Sequence, residues 1–357
     1  MSTIHDVSAS YERWLGARLD IVRADLRHKH VRMRESAFVF LRGSFFHWAH
    51  QWKAWCPDVA DAPTVVAVGD VHVENFGTWR DAEGRLAWGV NDFDEAWPLP
   101  YTSDLLRLAT SARLASLERE LSLDENAVSA AIARGYTEGL EAGGRPFVLA
   151  EGHDALRRLA VARLRNPEKF WAKLASAAAL RGGTSDARDI LEGDLPAGST
   201  DIRWYHRRAG VGSLGRPRIT AVASWRGATV AREAKAIAPS ACAWVDGRSG
   251  PRRRWHRKLL HHPLRCLDPF VQLRGSWLVR RLAPDCSRID LMDLDKDRDE
   301  GRLLEAMGQE LANVHLATGR RRAILRDLYS RDPDWLRDAT RRAVKAVRRA
   351  YAEWSEP

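Results

Sequence analysis

The stretch Gly210-Val211-Gly212-Ser213-Leu214-Gly215 sits at the bend of a β-like hairpin over Ile202–Ser224. A lone Gly-x-Gly-x-x-Gly is a weak signal, and an ordinary turn is its usual meaning. The residues just after the bend narrow the choice. A dinucleotide fold needs a helix straight after the glycines, whereas here Pro217 leads into Arg218–Ser224, which is β-like. Strand, glycine bend, strand is the arrangement in which backbone amides cover the phosphates of ATP. Glycine matters there because a side chain would block the close approach. A further strand, Thr229–Ile237, carries Lys235, 20 residues past Gly215. The chain has eight lysines against 49 arginines, so a lysine inside an apolar stretch stands out. On such a strand it can grip the α- and β-phosphates; the bland alternative is a solvent-facing lysine on an edge strand.

A second constellation precedes the first. Thr64–Val68 reads as a buried strand and runs into Gly69-Asp70-Val71-His72-Val73-Glu74-Asn75. A hairpin over Asn75–Arg80 and Arg85–Val90, with an acidic glycine-ended turn, then delivers Asn91-Asp92-Phe93-Asp94-Glu95. Phosphoryl transfer needs a carboxylate for the attacking hydroxyl, and an amide oxygen and a second carboxylate for Mg²⁺. One loop presents Asp70 and Asn75, and the hairpin returns Asp92 to them. Mg²⁺ takes few protein oxygens, so Asn75 and Asp92 suffice. A polar turn capped by Asp and Asn is the competing reading, and His72 is expected to fix backbone geometry. Asp-x-His after a strand also opens the metallophosphoesterase pattern, but its further metal-ligand motifs are missing.

The two constellations stand in reverse of the usual kinase order. A circular permutation accounts for this, since termini of compact domains lie close together. The expected fold is α+β: a two-lobed, circularly permuted kinase-like fold with a mostly helical large lobe and a small β-rich lobe. Residues 1–195 form the first part of the helical lobe, 196–290 the β-rich lobe, and 291–357 the helices completing the first. Residues 8–55, 103 to about 180, and 303–354 carry helical apolar spacing, with Asp332 as N-cap and Pro333 opening the last helix. Phe270–Leu282 reads as one or two strands.

Composition sets outer bounds. With 357 residues, 45% hydrophobic and 29% charged, the chain is globular. No apolar run reaches the roughly 18 residues of a membrane span and no signal-peptide core is visible, so no membrane is expected and the cytoplasm is the expected compartment. Cys56, Cys242, Cys266 and Cys286 are scattered, against a zinc site or a disulfide framework. The net charge of +10 favours anionic partners. Basic residues gather at Arg252-Arg253-Arg254, Arg257, Lys258, His261, His262 and Arg265 and at Arg320-Arg321-Arg322. A solvated face is their ordinary meaning and a nucleic-acid surface the alternative.

Several segments resemble a bacterial family known as domain of unknown function 2252: Phe38–Gly43, Gly69–Gly77, Asn91–Glu95, Asp104–Leu108, Gly210–Gly215, Arg232–Lys235 with Pro239-Ser240, and Glu310–His315. The family is distantly similar to aminoglycoside phosphotransferases and other protein-kinase-like small-molecule kinases. That resemblance implies Asp70 as base, Asn75 and Asp92 as metal ligands and Lys235 as phosphate ligand, with Asp104 bracing the loop and Gly210, Gly212, Ser213 and Gly215 over the nucleotide. His72 and Asp94 are supporting residues.

Two departures stand out. Val68 occupies the place of a histidine common in such kinases. Between Lys235 and Arg288 there is no glutamate, so the partner of Lys235 is one of Asp246, Asp268 and Asp285, or Glu233, or none. The expected function is ATP- and Mg²⁺-dependent phosphotransfer to a hydroxyl of a small molecule. The alternatives are a nucleotide-binding module without turnover, whose basic surface engages a partner, and nucleotidyl transfer on the same scaffold.

Overall fold

The computed structural model describes residues 3–119, 124–162, 165–180, 185–248, 254–261, 264–286 and 299–356. The chain opens with α1 (Ile4–Gly16), α2 (Arg23–Arg32), α3 (Ala37–Gly43), α4 (Phe45–Trp55) and α5 (Pro57–Ala60). A Thr3–Asp6 capping box starts α1 by satisfying amides that no helical carbonyl reaches. α2 is unusual: its buried residues are Asp25 and Lys29, one turn apart. An inward helix face made of two charges has to find its partners elsewhere in the molecule.

β1 (Thr64–Ala67) pairs with β4 (Trp97–Pro100), and between them β2 (Phe76–Arg80) and β3 (Leu86–Val90) make the hairpin. β5 (Phe147–Val148) joins β3. It interrupts the stretch expected to be helical as far as residue 180. After α6 (Tyr101–Arg119) and α7 (Glu125–Glu141), Gly143 and Gly144 take positive φ of 80° and 83°, which ends the helix. α8 (Asp154–Ala162), α9 (Pro167–Ala175) and α10 (Ser185–Asp194) come next.

A five-stranded antiparallel sheet spans β6 (Thr200–His206), β7 (Arg218–Trp225), β8 (Ala228–Ala236), β9 (Gln272–Arg274) and β10 (Trp277–Leu282), in the order β6-β7-β8-β10-β9. Its apolar face packs Ile219, Ala221, Ala234 and Val279 against Ala187 and Leu191 of α10; Leu174 of α9 packs with Ala231 and Leu282. Between β8 and β10 lie α11 (Ala241–Val245) and α12 (Arg254–Leu260). α12 holds part of the basic segment; Arg252, Arg253 and His262 fall outside the described residues.

α13 (Asp299–Leu316), α14 (Arg321–Ser330) and α15 (Trp335–Ser355) close the chain and share the main core with α3, α4, α6 and α7. α13 lies directly on α7. A Cβ on Gly135 would fall 2.0 Å from the Glu305 carbonyl oxygen, so only glycine permits this spacing. α15 begins later than the Asp332-Pro333 pattern predicts. The Asp332 carboxylate accepts from Asp334 N at 2.8 Å, making a turn of its own before the helix. No described helix is long and apolar enough to cross a membrane.

The architecture is therefore mixed α+β, with three sheets among the described residues.

Candidate active site

The loop after β1 is built around Asp104, on the first turn of α6. Its carboxylate is fully buried and accepts from the amides of Val68 at 2.6 Å and Gly69 at 3.0 Å. His315 of α13 lies 3.0 Å from the same carboxylate, and its other ring nitrogen is 2.7 Å from the Tyr136 hydroxyl. This buried relay sets the path of the backbone that presents Asp70.

Asp70 Oδ1 accepts from Arg107 Nε at 3.1 Å and also from Nη2. Arg107 is buried, sandwiched 5.0 Å from the Phe45 ring and 5.1 Å from the Trp48 ring, and Nη2 also reaches the Leu41 carbonyl. One carboxylate oxygen is thus fixed. The other, Oδ2, faces the glycine bend, where a Cβ on Gly212 would come within 3.2 Å of it and 3.0 Å of the Arg42 carbonyl. Burial pushes the Asp70 carboxyl above the ordinary aspartate range, against the downward pull of Arg107. A carboxylate held on one side, lining the cleft beneath the glycine bend on the other and raised in basicity suits proton abstraction.

Asn75 ties the two acidic segments together. Its Nδ2 donates to the carbonyls of Asp70 and Asp92, and its Oδ1 accepts from Asp92 N at 3.0 Å. The Asp92 Oδ1 accepts from Asp94 N, and its Oδ2 lies 2.7 Å from Lys235 Nζ. Lys235 is 2.7 Å from Asp94 Oδ2 as well. Burial works to raise Asp92, but the charge and hydrogen bond of Lys235, with hydrogen bonding from Asp94 and the His256 charge, together outweigh it and hold the carboxyl well below its usual range. The partners of Lys235 are therefore Asp92 and Asp94. Each candidate outside this loop is engaged elsewhere. Glu233 binds Arg207, Arg218 and Arg280, Asp246 accepts from Trp97, Asp268 from Phe270 N, and Asp285 from Arg80.

The glycine bend is the β6–β7 connection, with a 3₁₀ turn at Val211–Ser213. Gly210 takes a φ of 71° and Gly215 one of 96°. The Ser213 hydroxyl is used within the loop, accepting from Arg218 at 2.8 Å. From outside, α2 clasps the hairpin. Asp25 meets His206 at 2.7 Å and Arg208 at 2.6 Å, Lys29 Nζ donates to the Gly212 carbonyl at 3.2 Å, and Val22 N donates to Gly215 O. Arg216, just past the bend, pairs with Asp94 and Glu95 at 2.9 Å each.

These groups surround one cleft of about 80 Å³, lined by Asp70, His72, Asn75, Asp92, Asp94, Gly210, Gly212 and Ser213 with Lys29, Arg42, Glu74 and Arg216. Gly215 and Lys235 stand behind its lining. The donor set suits a hard divalent cation completed by water and phosphate oxygens. The Asp92 side chain is 38% exposed, Asn75 Oδ1 keeps a second lone pair, and Asp94 Oδ1 is buried without a hydrogen-bond partner among the described residues. A protein-only metal cage is absent among those residues.

Arg107, Lys29, Arg216 and Asp25 belong to the site although sequence reasoning does not single them out. Arg107 does leave a trace, a charge inside the apolar run Leu105-Leu106-Arg107-Leu108.

Residues 21–191 match a family model. Its description is "uncharacterized protein conserved in bacteria (DUF2252)". The matched stretch holds Lys29, Asp70, Asn75, Asp92, Asp104 and Arg107, while the glycine bend and Lys235 lie beyond it. No curated protein and no solved structure matches the chain.

Proposed function

We propose that the chain is a phosphotransferase of kinase-like, circularly permuted construction that moves the terminal phosphoryl group of ATP onto a hydroxyl of a small molecule. The observation that carries this reading is the meeting of Lys235 with Asp92 at 2.7 Å, beside an Asp70 oxygen that faces the glycine bend. The sheet supports it: the bend is its first connection and Lys235 lies on its third strand.

In this mechanism Asp70 Oδ2 accepts the proton of the attacking hydroxyl as the new oxygen–phosphorus bond forms and the bond to the bridging oxygen of ADP breaks. Arg107 keeps Asp70 aimed. Lys235 exchanges its carboxylate partners for phosphate oxygens and offsets the charge that builds there. Asn75 and Asp92, with Asp94 beside them, would hold Mg²⁺, which supplies further charge neutralisation when bound. A cleft of about 80 Å³ is far below the ~300–1,000 Å³ that small-molecule ligands fill, so the bend lifts to admit a nucleotide. A neighbouring cavity of about 370 Å³, lined by Trp79, Asn91, Leu260, Val271 and Leu273 among others, has room for a base.

The narrow cleft also supports a second reading, nucleotide binding without turnover. Calorimetric titration with Mg–ATP and an ATP-consumption assay separate the two. Asp70→Ala keeps binding and loses turnover, and Asp92→Ala loses Mg²⁺-dependent binding. Equal Mg–ATP affinity for wild type and Asp92→Ala overturns the metal assignment, and no ATP consumption with any hydroxylated acceptor leaves the second reading in place.

A further inference from the structure

The charged groups lining the cleft pair off, with one exception. Arg42 meets Glu74 at 2.7 Å, and Arg216 meets Asp94 and Glu95 at 2.9 Å. Lys29 lines the same cleft and is 7% exposed, yet no carboxylate of the described residues lies within 4.0 Å of its Nζ. Its one hydrogen bond among those residues goes to the Gly212 carbonyl, and an ammonium has three N–H donors. An enclosed cation with no carboxylate in contact is costly. The other inward charge of α2, Asp25, has two basic partners; the carboxylates of Glu12, Glu95 and Asp70 act on Lys29 from beyond ion-pair distance, which leaves a direct anionic partner to come from outside the protein.

The place of Lys29 says what that is. The charged and titratable groups acting on it are Glu12 and Arg216, with Glu95 and Asp70, and Tyr11 lines the same end. Those acting on Asp92 are Lys235, Asp94 and His256. Asp70 and Arg216 border both sets, Asp70 being influenced by Asp92 and Arg216 pairing with Asp94 at 2.9 Å. The cleft thus has a metal-and-phosphate end and a Lys29 end, with Asp70 and Arg216 between them. The Lys29 end is walled by Tyr11 and Phe46, stacked at 4.8 Å, and Lys29 Nζ sits 5.9 Å from the Phe46 ring centroid.

We propose that Lys29 receives an anionic group, a carboxylate or a phosphate, of the acceptor, so that the acceptor is a small hydroxylated anion whose hydroxyl is presented to Asp70. The proposal rests on the phosphotransferase reading for the word acceptor, but the anion site stands on the geometry of Lys29. Burial pulls the ammonium down to about 8, so it is charged at neutral pH and loses its proton just above.

The test is calorimetric titration of the full chain with four probes that share one scaffold: glycerol, glycerate, glycerol 3-phosphate and 3-aminopropane-1,2-diol. The expected result is binding of one or both anions at millimolar concentration, with the neutral and cationic probes weaker by roughly tenfold or more, the loss of one charge-assisted contact. Preference for glycerate or for glycerol 3-phosphate identifies the carboxylate or the phosphate. The readout in Lys29→Met is the ratio of anion to neutral affinity, which a merely structural defect would not collapse. Lys29→Arg keeps the preference and loses its decline above pH 8, and it carries the test if Lys29→Met fails to fold. Equal affinity for all four probes, no binding of either anion, or an unchanged ratio in Lys29→Met overturns the proposal. A parallel Mg–ATP titration of the wild type judges the phosphotransferase reading separately: failure there with anion binding intact sinks that reading alone.

Discussion

Lys235 Nζ lies 2.7 Å from Asp92 Oδ2, although 143 positions separate the two residues. The lysine comes from the third strand of the large sheet and the aspartate from the loop after a separate hairpin. Chain proximity does not bring them together; the tertiary fold does. Their meeting makes the cleft a junction between the large sheet and the acidic loop.

That junction predicts a cation effect. Lys235 is 2% exposed and serves two aspartates. Lys235→Met leaves two like charges facing each other, and loss of a buried partner costs about 3–5 kcal/mol. Urea unfolding should show that loss. Mg²⁺ should recover part of it in the variant and add less to the wild type, because the cation takes the place of the ammonium. Equal Mg²⁺ stabilisation of both proteins would count against Asp92 and Asp94 as a cation site.

The glycine bend gives a second prediction. Gly212→Ala places a Cβ 3.0 Å from the Arg42 carbonyl and 3.2 Å from Asp70 Oδ2. Backbone on one side and a fixed carboxylate on the other leave little room to yield. The bend must shift outward, straining the Lys29 contact with Gly212 O. Hydrogen exchange of amides 210–216 should quicken in the variant, and turnover should fall with little change in global stability. Unchanged exchange there would mean that the bend is not packed on Asp70.

These two constellations are legible in sequence because each carries local grammar. A glycine bend between β-like runs, and a lysine on the next strand in a chain of eight lysines, can be read without a partner in view. Asp70, Asn75 and Asp92 emerge from a strand, a loop and a hairpin. Lys29 cannot be read that way. α2 is charged on all sides, Arg-Ala-Asp-Leu-Arg-His-Lys-His-Val-Arg, and the atoms that turn Asp25 and Lys29 inward lie 181 and 183 positions away. Periodicity finds apolar faces; it has no way to find a face of charges matched to a distant loop. The start of α15 departs from its sequence pattern for a local reason, because Asp332 makes a turn before the helix.

Arg107 predicts a pH dependence. Burial raises the Asp70 carboxyl and Arg107 opposes the rise. A raised carboxyl in the folded state means that folding favours the protonated form, so stability is lost as pH climbs through the folded value. Arg107→Gln raises the carboxyl further and enlarges that loss. Its stability deficit against the wild type should therefore grow as pH climbs through the wild-type folded value, which lies above the 3.8 of an ordinary aspartate, and the acid limb of any Asp70-dependent rate should move to higher pH. Arg107→Lys, which keeps the charge, should show a smaller deficit. A deficit independent of pH would place Arg107 as a packing residue only.

Glu233 predicts the opposite sign. It is fully buried on β8 and binds Arg207, Arg218 at 2.6 Å and Arg280 at 2.8 Å. Burial tends to raise it, yet the three guanidinium groups win and hold it well below the ordinary 4.5. Its contribution is thus fully present above that unfolded value and disappears as pH falls through the lower folded one. Glu233→Gln leaves three cations around a neutral amide and should cost about 3–5 kcal/mol at neutral pH. The gap between the two proteins should stay constant from pH 7 to about 5 and then close on further acidification, as the wild-type carboxylate takes up its proton. Urea midpoints measured across that range decide it. A gap that widens as pH falls would show that the arginines are held by something other than the charge of Glu233.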